Sequence, residues 1–279
     1  MNARVTIVSV TYNSSSIVRS MLSSIPAGTP VILVDNNSKD QSELKMISKA
    51  LGFKLIKNTE NFGFGVGCNL GAELTDTEFV FFLNPDAVLE DGALEYLIKA
   101  ADKYIDAVGF NPRISWPNGS PYFKRRSHLI PKDKEMPRGW PKIDSEVPVL
   151  SGAALFVRLN VFSEIGGFDP NIFLYHEDDD LSLRLIETQG KLMFVRDAEV
   201  KHLFGGSTER TPQVAAFKGW HMGRSRMYAT LKHDLSFAKV KAFKGATFQL
   251  LSPLNIFSQR KRSKHWAYFK GVISLWKGT

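Results

Sequence analysis

The segment Arg4-Val-Thr-Ile-Val-Ser-Val-Thr11 is rich in β-branched apolar residues and stops at the polar triplet Tyr12-Asn13-Ser14. A strand without strict polar-apolar alternation is one buried on both faces, as the strands of parallel sheets are. Outward from it the same rhythm repeats. A helix is expected over 15–24, a strand over 31–34, a helix over 40–51, a strand over 53–57 and a helix over 65–74. Phe79-Val-Phe-Phe-Leu83 reads as another buried strand, and a helix over 90–103 and a short strand over 107–110 complete this half. Strands alternating with helices imply right-handed βαβ units and an open, mostly parallel α/β sheet with helices on both faces.

From Asn111 to Val147 the periodicity lapses and prolines crowd in, among them Pro117, Pro121, Pro131, Pro137 and Pro141. A loop this long inside a domain is a binding segment or lid, or else disordered. Regular structure returns with a strand over 148–158, a helix over 159–165, a helix over 178–189 stopped by Gly190, and a strand over 191–195.

The 279 residues are 43% hydrophobic and 23% charged, which suits folded domains and excludes a disordered polymer. The lone Cys68 can form no internal disulfide, and no secretory leader opens the chain, so a reducing cytoplasmic setting is expected. The longest apolar stretch, 246–257, is interrupted by Gln249, Ser252, Pro253 and Asn255 and does not reach a membrane span. The net charge of +8 is unevenly spread: residues 232–279 carry ten Lys/Arg against Asp234 alone, a net +9, and the body before them carries −1. Attraction to anionic surfaces therefore belongs to the tail.

Open α/β sheets bind ligands beyond the carboxyl ends of their strands. Here those ends are polar: Thr11-Tyr12-Asn13, Asp35-Asn36-Asn37-Ser38 and Asn84-Pro85-Asp86. No G-x-G-x-x-G turn follows the first strand, which disfavours a dinucleotide, and no G-x-x-x-x-G-K-S/T loop exists. Gly63, Gly65, Gly67 and Gly71 follow Asn61-Phe62 and read as a tight turn into a helix. Asp35 is either a turn cap or a carboxylate for a nucleobase or ribose. Asp86, presented by Pro85 after a strand too apolar to face water, suits Mg²⁺ or Mn²⁺ completing its shell with diphosphate oxygens and water. Its other reading is a cap for the helix from Glu90. His202 is a structural histidine unless it meets Asp86 in space.

The densest acidic cluster is Glu177-Asp178-Asp179-Asp180, after His176. Acids at a helix N-terminus satisfy free amides, and Asp180 with Arg184 has i,i+4 spacing for an ion pair, which uses one or two of the four. Crowding raises the pKa of at least one carboxylate, as a general base near neutral pH requires. Glu177 and Asp178, ahead of the helix body, are the candidates.

Taken in order, these pieces resemble the family 2 glycosyltransferases of GT-A fold, in particular bacterial rhamnosyltransferase-like members, over roughly residues 4–231. Further parts of the resemblance are Asn61-Phe62-Gly63 with Asn69, Ser151-Gly152-Ala153, Gly166-Gly167-Phe168-Asp169 and Leu181 with Arg184. It implies a GT-A-like, Rossmann-type sheet and inverting transfer of a sugar from a nucleoside diphosphate to a hydroxyl. By the resemblance, Thr11, Tyr12, Asn13, Asp35, Asn61, Asn69, Asn84 and Asp86 serve the donor. Asp86 would hold Mg²⁺ or Mn²⁺ on the donor diphosphate, with His202 as second protein ligand. Asp178 would be the base with Glu177 its neighbour, Asp180 structural, and Ser151, Gly152 and Asp169 would serve the acceptor. Asn84-Pro85-Asp86 stands where D-x-D is usual, leaving one carboxylate for the metal. By family analogy that variant leans toward a deoxythymidine diphosphate rhamnose donor, with a glycan or lipid-linked acceptor in bacterial surface polysaccharide synthesis.

The expected division is a nucleotide-binding half over 1–110, an acceptor-binding half over 111–231, and a basic, aromatic, helical extension over 232–279. Phe248, Phe257, Trp266 and Trp276 among its Lys/Arg suit peripheral attachment to the inner face of the plasma membrane; the other reading is helices packed on the body. No nucleic-acid reader module accompanies the charge. Two rival functions are a nucleotidyltransferase and a non-catalytic nucleotide-sugar-binding protein. The first would place basic residues after the first strand, and the Glu177-Asp178 pair argues against the second.

Overall fold

The computed structural model describes residues 3–188, 190–203 and 211–276. Gln189, the expected end of the 178–189 helix, and Lys277 of the basic tail lie outside the described residues. The first half runs β1 (Val5–Thr11), α1 (Ser15–Ser23), β2 (Val31–Asp35), α2 (Gln41–Leu51), β3 (Lys54–Lys57), α3 (Phe64–Ala72) and β4 (Phe79–Leu83). There follow β5 (Ala87–Leu89), α4 (Ala93–Lys103), β6 (Ala107–Ser115), β7 (Ser145–Glu146), β8 (Ala154–Arg158), α5 (Leu159–Glu164), α6 (Glu177–Glu187) and β9 (Lys191–His202). The chain closes with α7 (Pro212–Lys232), α8 (Ala238–Leu250), α9 (Leu254–Phe257) and α10 (Gln259–Ser274).

All the strands join one sheet in the order β3-β2-β1-β4-β8-β6-β9-β5, with β7 beside β9. The first four are parallel, as the βαβ rhythm requires. β8 runs antiparallel between β4 and β6, and β6 is again parallel to β9. The outcome is the mostly parallel α/β sheet expected from the sequence.

β4 is apolar on both faces because two separate cores claim its alternate residues. Phe79 and Phe81 pack with Ile7, Leu33, Phe110 and Phe156 beneath α1, α2 and α4. Val80 and Phe82 face the opposite cluster, with Val8, Val10, Phe162 and Leu181 beneath α3, α5 and α6. The glycines of α3 let that helix press onto β1: a Cβ at Gly67 would lie 2.8 Å from Val10 Cγ1, and one at Gly71 would collide with Val8.

Two strands depart from their expected lengths, and both departures shape the site. The strand expected over 148–158 is confined to β8, because the buried Asn111 amide draws Ser151 out of the sheet: Asn111 Nδ2 donates to Ser151 O (3.0 Å) and Ala154 O (2.6 Å), and Ser151 N donates to Asn111 Oδ1 (2.6 Å). β9 does not stop at Val195; it continues to His202 and pairs with β5, opposing Ala87 with His202. The 111–147 segment, read as a loop, extends β6 to Ser115 and then packs on the sheet, with Trp140 Nε1 donating to Ile114 O (2.9 Å) and Phe123 edge-on to Phe194.

α7 runs up to the expected division at 231 and one residue past it, and packs on the helices of the extension. α7 packs along α10 with Gly219 and Gly223 against Lys264 and Tyr268, and Gly271 against Trp220, contacts that leave no room for a side chain. Phe243 of α8 packs its ring on Phe269 and Trp276.

Candidate active site

Beyond the carboxyl end of β4 and beside the start of α6 lies a cavity of about 700 Å³, a size that accommodates a small organic ligand. Its wall includes Asn84, Tyr122 to Lys124, Ser151 to Ala153 and Tyr175 to Asp179, closed by Met222 and Arg226 of α7, Gln249 of α8 and Tyr268 of α10.

The acidic turn enters this wall through an unusual backbone. Tyr175 and His176 both have positive φ, 66° and 69°, just ahead of α6. Left-handed geometry costs a non-glycine residue about 1–2 kcal/mol, and here it turns Glu177 and Asp178 toward the cavity. The four acids then separate by environment. Asp178 Oδ1 meets Lys124 Nζ at 2.6 Å and accepts from Asp179 N at 3.0 Å, while its Oδ2 accepts from Gly152 N at 2.9 Å. Asp179 pairs with the same lysine at 2.8 Å and with His176 Nδ1 at 2.7 Å. Burial alone would raise the Asp179 pKa, but Lys124 and His176 outweigh it and hold the group below the usual carboxylate range. Asp180, fully buried, is bound by Arg184 (2.9 Å), Lys232 (2.7 Å) and His233 (2.9 Å), so it ties α6 to α7. Glu177 has no such cation among the described residues. Burial first, and the charge of Asp178 second, push its pKa up to about 8, and its Oε2 has no hydrogen-bond partner among the described residues.

Asp86 and His202 meet in space. Asp86 Oδ1 lies 3.3 Å from His202 Nε2, and the Asn84 amide stands 3.4 Å from the same ring nitrogen. The meeting depends on β9 reaching β5. Tyr122 stacks on His202 with centroids 5.1 Å apart. Burial raises the Tyr122 pKa, and Asp178 and Asp86 both add to the rise, so the two carboxylates lie within electrostatic reach of one phenol. Burial lowers the His202 pKa against the pull of Asp86, which keeps the imidazole neutral and able to ligate. One carboxylate and one imidazole fit a Mn²⁺ or Mg²⁺ ion that takes its other ligands from a diphosphate and water. Among the described residues no cluster of three or more His, Cys, Asp or Glu offers a fuller site.

Of the other sequence candidates, Asn84, Ser151, Gly152, Glu177 and Asp178 line the cavity. Thr11, Asn13 and Asp35 gather instead where β1 and β2 end: Asp35 accepts from Thr11 Oγ1 (3.3 Å), from Ser38 N (3.1 Å) and from the Ser38 hydroxyl, while Asn13 N donates to Ser38 Oγ (2.7 Å). Asp35 is fully buried and organises this loop, which leaves the Tyr12 ring exposed. Asn61 accepts from Gly63 N (3.0 Å) in the turn before α3. Asn69 is a clip from α3 to Phe168, with both ends of its amide bonded at 2.8 Å. Asp169 lies off the cavity wall, bound by Lys232 (2.6 Å) and Tyr228 (3.1 Å) of α7.

Sequence reasoning passed over Asn111, Tyr122, Lys124 and Arg226. A signal for the lysine existed: four adjacent acids need countercharge, and Tyr122-Phe-Lys-Arg-Arg126 is a basic run in the segment read as a loop.

Comparison with known proteins identifies the family and the fold. The chain is 30% identical to the N-acetylglucosaminyl-diphospho-decaprenol L-rhamnosyltransferase of Mycobacterium tuberculosis, a match covering 74% of this chain and 78% of that protein. It is 25% identical to the rhamnosyltransferase WbbL of Escherichia coli K12, covering 82% and 94%. Among solved structures, the fold is shared with S. aureus TarS 1-349 (TM-score 0.56, 14% identity, 99% of this chain and 92% of that one). It is also shared with GalNAc-T7 bound to UDP, GalNAc and Mn²⁺ (TM-score 0.60, 14% identity, 98% and 56%). Residues 6–166, more than half of the chain, match the family model described as glycosyl transferase family 2. The chain belongs to that family and is a glycosyltransferase.

Proposed function

We propose that this enzyme transfers a sugar, with inversion, from a nucleoside diphosphate to a hydroxyl of a lipid-linked glycan acceptor at a membrane surface, in bacterial surface polysaccharide synthesis. The favoured donor is deoxythymidine diphosphate rhamnose, because two relatives are rhamnosyltransferases and one of them is named for a lipid diphosphate acceptor. In this reading the base and ribose lie against the loops carrying Thr11, Tyr12, Asn13 and Asp35. The diphosphate lies toward Asn84, Asp86 and His202, and the acceptor enters beside Ser151 and Gly152. Asp86 and His202 would hold Mg²⁺ or Mn²⁺, whose chemistry is to neutralise charge on the departing diphosphate.

The observation that carries the reading is an open position on Asp178. A carboxylate offers about four lone-pair sites. Lys124 and Asp179 N occupy Oδ1, and Gly152 N takes one site on Oδ2, so among the described residues one site on Oδ2 is left for an acceptor hydroxyl. Asp178 takes that proton while the hydroxyl oxygen attacks the anomeric carbon and the bond to the diphosphate oxygen breaks. Glu177, holding its own proton at neutral pH, does not compete for it.

The membrane part of the reading rests on the extension. Phe248, Leu251, Leu254, Ile256 and Phe257 are exposed around α9, flanked by exposed Lys241, Lys244, Arg260, Lys261 and Arg262. Each Lys or Arg at an anionic surface contributes about 1 kcal/mol. No helix among the described residues is long and apolar enough to cross a membrane. Peripheral attachment at the inner face is the form this surface supports.

The test is thermal shift with dTDP, UDP and GDP, with and without Mn²⁺, followed by transfer from dTDP-rhamnose. The largest shift is expected with dTDP and Mn²⁺. Preference for another nucleotide would sink the rhamnose donor, and no shift with any would sink the donor site. Co-sedimentation with anionic vesicles is expected to fall when Phe248, Leu251 and Phe257 become Ser; unchanged pelleting would dispose of the membrane reading.

A further inference from the structure

Of the two Lys/Arg side chains on the cavity wall, Lys124 is neutralised by Asp178 and Asp179, whereas Arg226 has no ion pair among the described residues. Its guanidinium donates from Nη1 to the Tyr268 hydroxyl at 2.9 Å, and its Nε is buried with no hydrogen-bond partner among the described residues. α8 supports it from behind, since a Cβ at Gly245 would come within 3.1 Å of Nη1. The nearby His128 adds no second charge: burial foremost, helped by Arg226, lowers its pKa to about 4. A planar guanidinium exposed to a cavity and unmatched by a carboxylate is suited to a phosphate.

The position of Arg226 says which phosphate. The donor diphosphate is assigned to Asp86 and His202, on which Tyr122 stacks, whereas Arg226 stands on the wall built by α7, α8 and α10. Gln249 lines the same wall, and its neighbour Phe248 is 79% exposed, the first of the outward-facing apolar residues that run on to Phe257. We propose that Arg226 binds the phosphate of the acceptor, and that a prenyl chain attached to that phosphate leaves the cavity past Gln249 and Phe248 into the membrane that the exposed apolar surface faces. The proposal deepens the glycosyltransferase reading and rests on its lipid-linked acceptor.

The test uses the full chain, saturated with dTDP and Mn²⁺ and titrated calorimetrically with farnesyl diphosphate or farnesol. Farnesyl diphosphate is expected to bind the wild type more tightly than farnesol. Arg226→Gln should weaken farnesyl diphosphate by about tenfold or more, Arg226→Lys should retain part of the affinity, and farnesol and dTDP should bind both variants as they bind the wild type. If Arg226→Gln leaves farnesyl diphosphate unaffected while dTDP binds normally, the acceptor site is wrong and the donor reading stands. If dTDP and farnesyl diphosphate weaken together, Arg226 belongs to the donor. If the wild type binds no nucleoside diphosphate, the donor reading falls, and with it the division of the cavity into two phosphate sites.

Discussion

Lys124 Nζ sits 2.6 Å from Asp178 Oδ1 and 2.8 Å from Asp179 Oδ1, one cation shared by two acids. Burial would lower the lysine's pKa, but the two carboxylates more than reverse it and raise the group above its ordinary value. This one contact differentiates the acidic turn. Asp178 and Asp179 are held as ion-paired carboxylates, Asp180 is held by α7 and Arg184, and Glu177 is left as the member that keeps its proton.

Replacing Lys124 with Met leaves two largely buried carboxylates without their cation. Removing one partner of a buried ion pair costs about 3–5 kcal/mol. Urea unfolding at pH 7 is expected to show a loss of that order, shrinking as pH falls, because without its cation the variant's buried Asp179 takes up a proton that the wild type, whose Asp179 is held below the usual carboxylate range, does not. A loss independent of pH would mean that Lys124 contributes by packing alone.

Glu177→Gln separates charge from shape. The folded-state pKa, about 8, is raised above the ordinary 4.5, so the native state binds the proton more tightly than the unfolded chain. The stability contributed by this group is present below about pH 4.5 and lost as pH climbs through 8. The Gln variant cannot ionise. Its Tm is expected to exceed that of the wild type at pH 8 and to converge with it at pH 4; a constant gap would contradict the assignment.

Asp178→Asn keeps the shape and an acceptor for Gly152 N but removes the proton acceptor. Transfer is expected to fall by about 10²- to 10⁴-fold, the usual contribution of a general base, with nucleotide affinity unchanged. A collapse of donor binding would show that Asp178 serves the donor instead.

Asp86→Ala should abolish the gain in nucleotide affinity that Mn²⁺ brings, with little effect when the metal is absent. Titration of dTDP with and without Mn²⁺ measures this directly. Identical metal dependence in variant and wild type would argue for a site that uses no cation through Asp86.

The alternation of strands with helices was legible because burial on both faces of a parallel strand leaves a continuous apolar run, as in β1 and β4. Asp35 and Asp86 stood out because they directly follow such runs, with a cap as the other reading of each, and Glu177 and Asp178 stood out by the crowding of their acidic cluster. Lys124 and Tyr122 did not, since a segment without regular periodicity carries no local signal of what it packs against. The length of β9 was misread at Val195 because the Arg196-Asp197 pair interrupts the apolar pattern. The pairing of its far end with β5 overrides that interruption.

The amino-acid order by itself determined the strands β1 to β4, the family and the short menu of acids, because hydrophobic periodicity and motif order are local properties of a chain. Only the tertiary structure decided which acid holds a proton, which is matched by a lysine, and that His202 lies beside Asp86. Those outcomes depend on desolvation and on distances between residues remote in sequence, and neither exists until the strands are paired and the helices are packed.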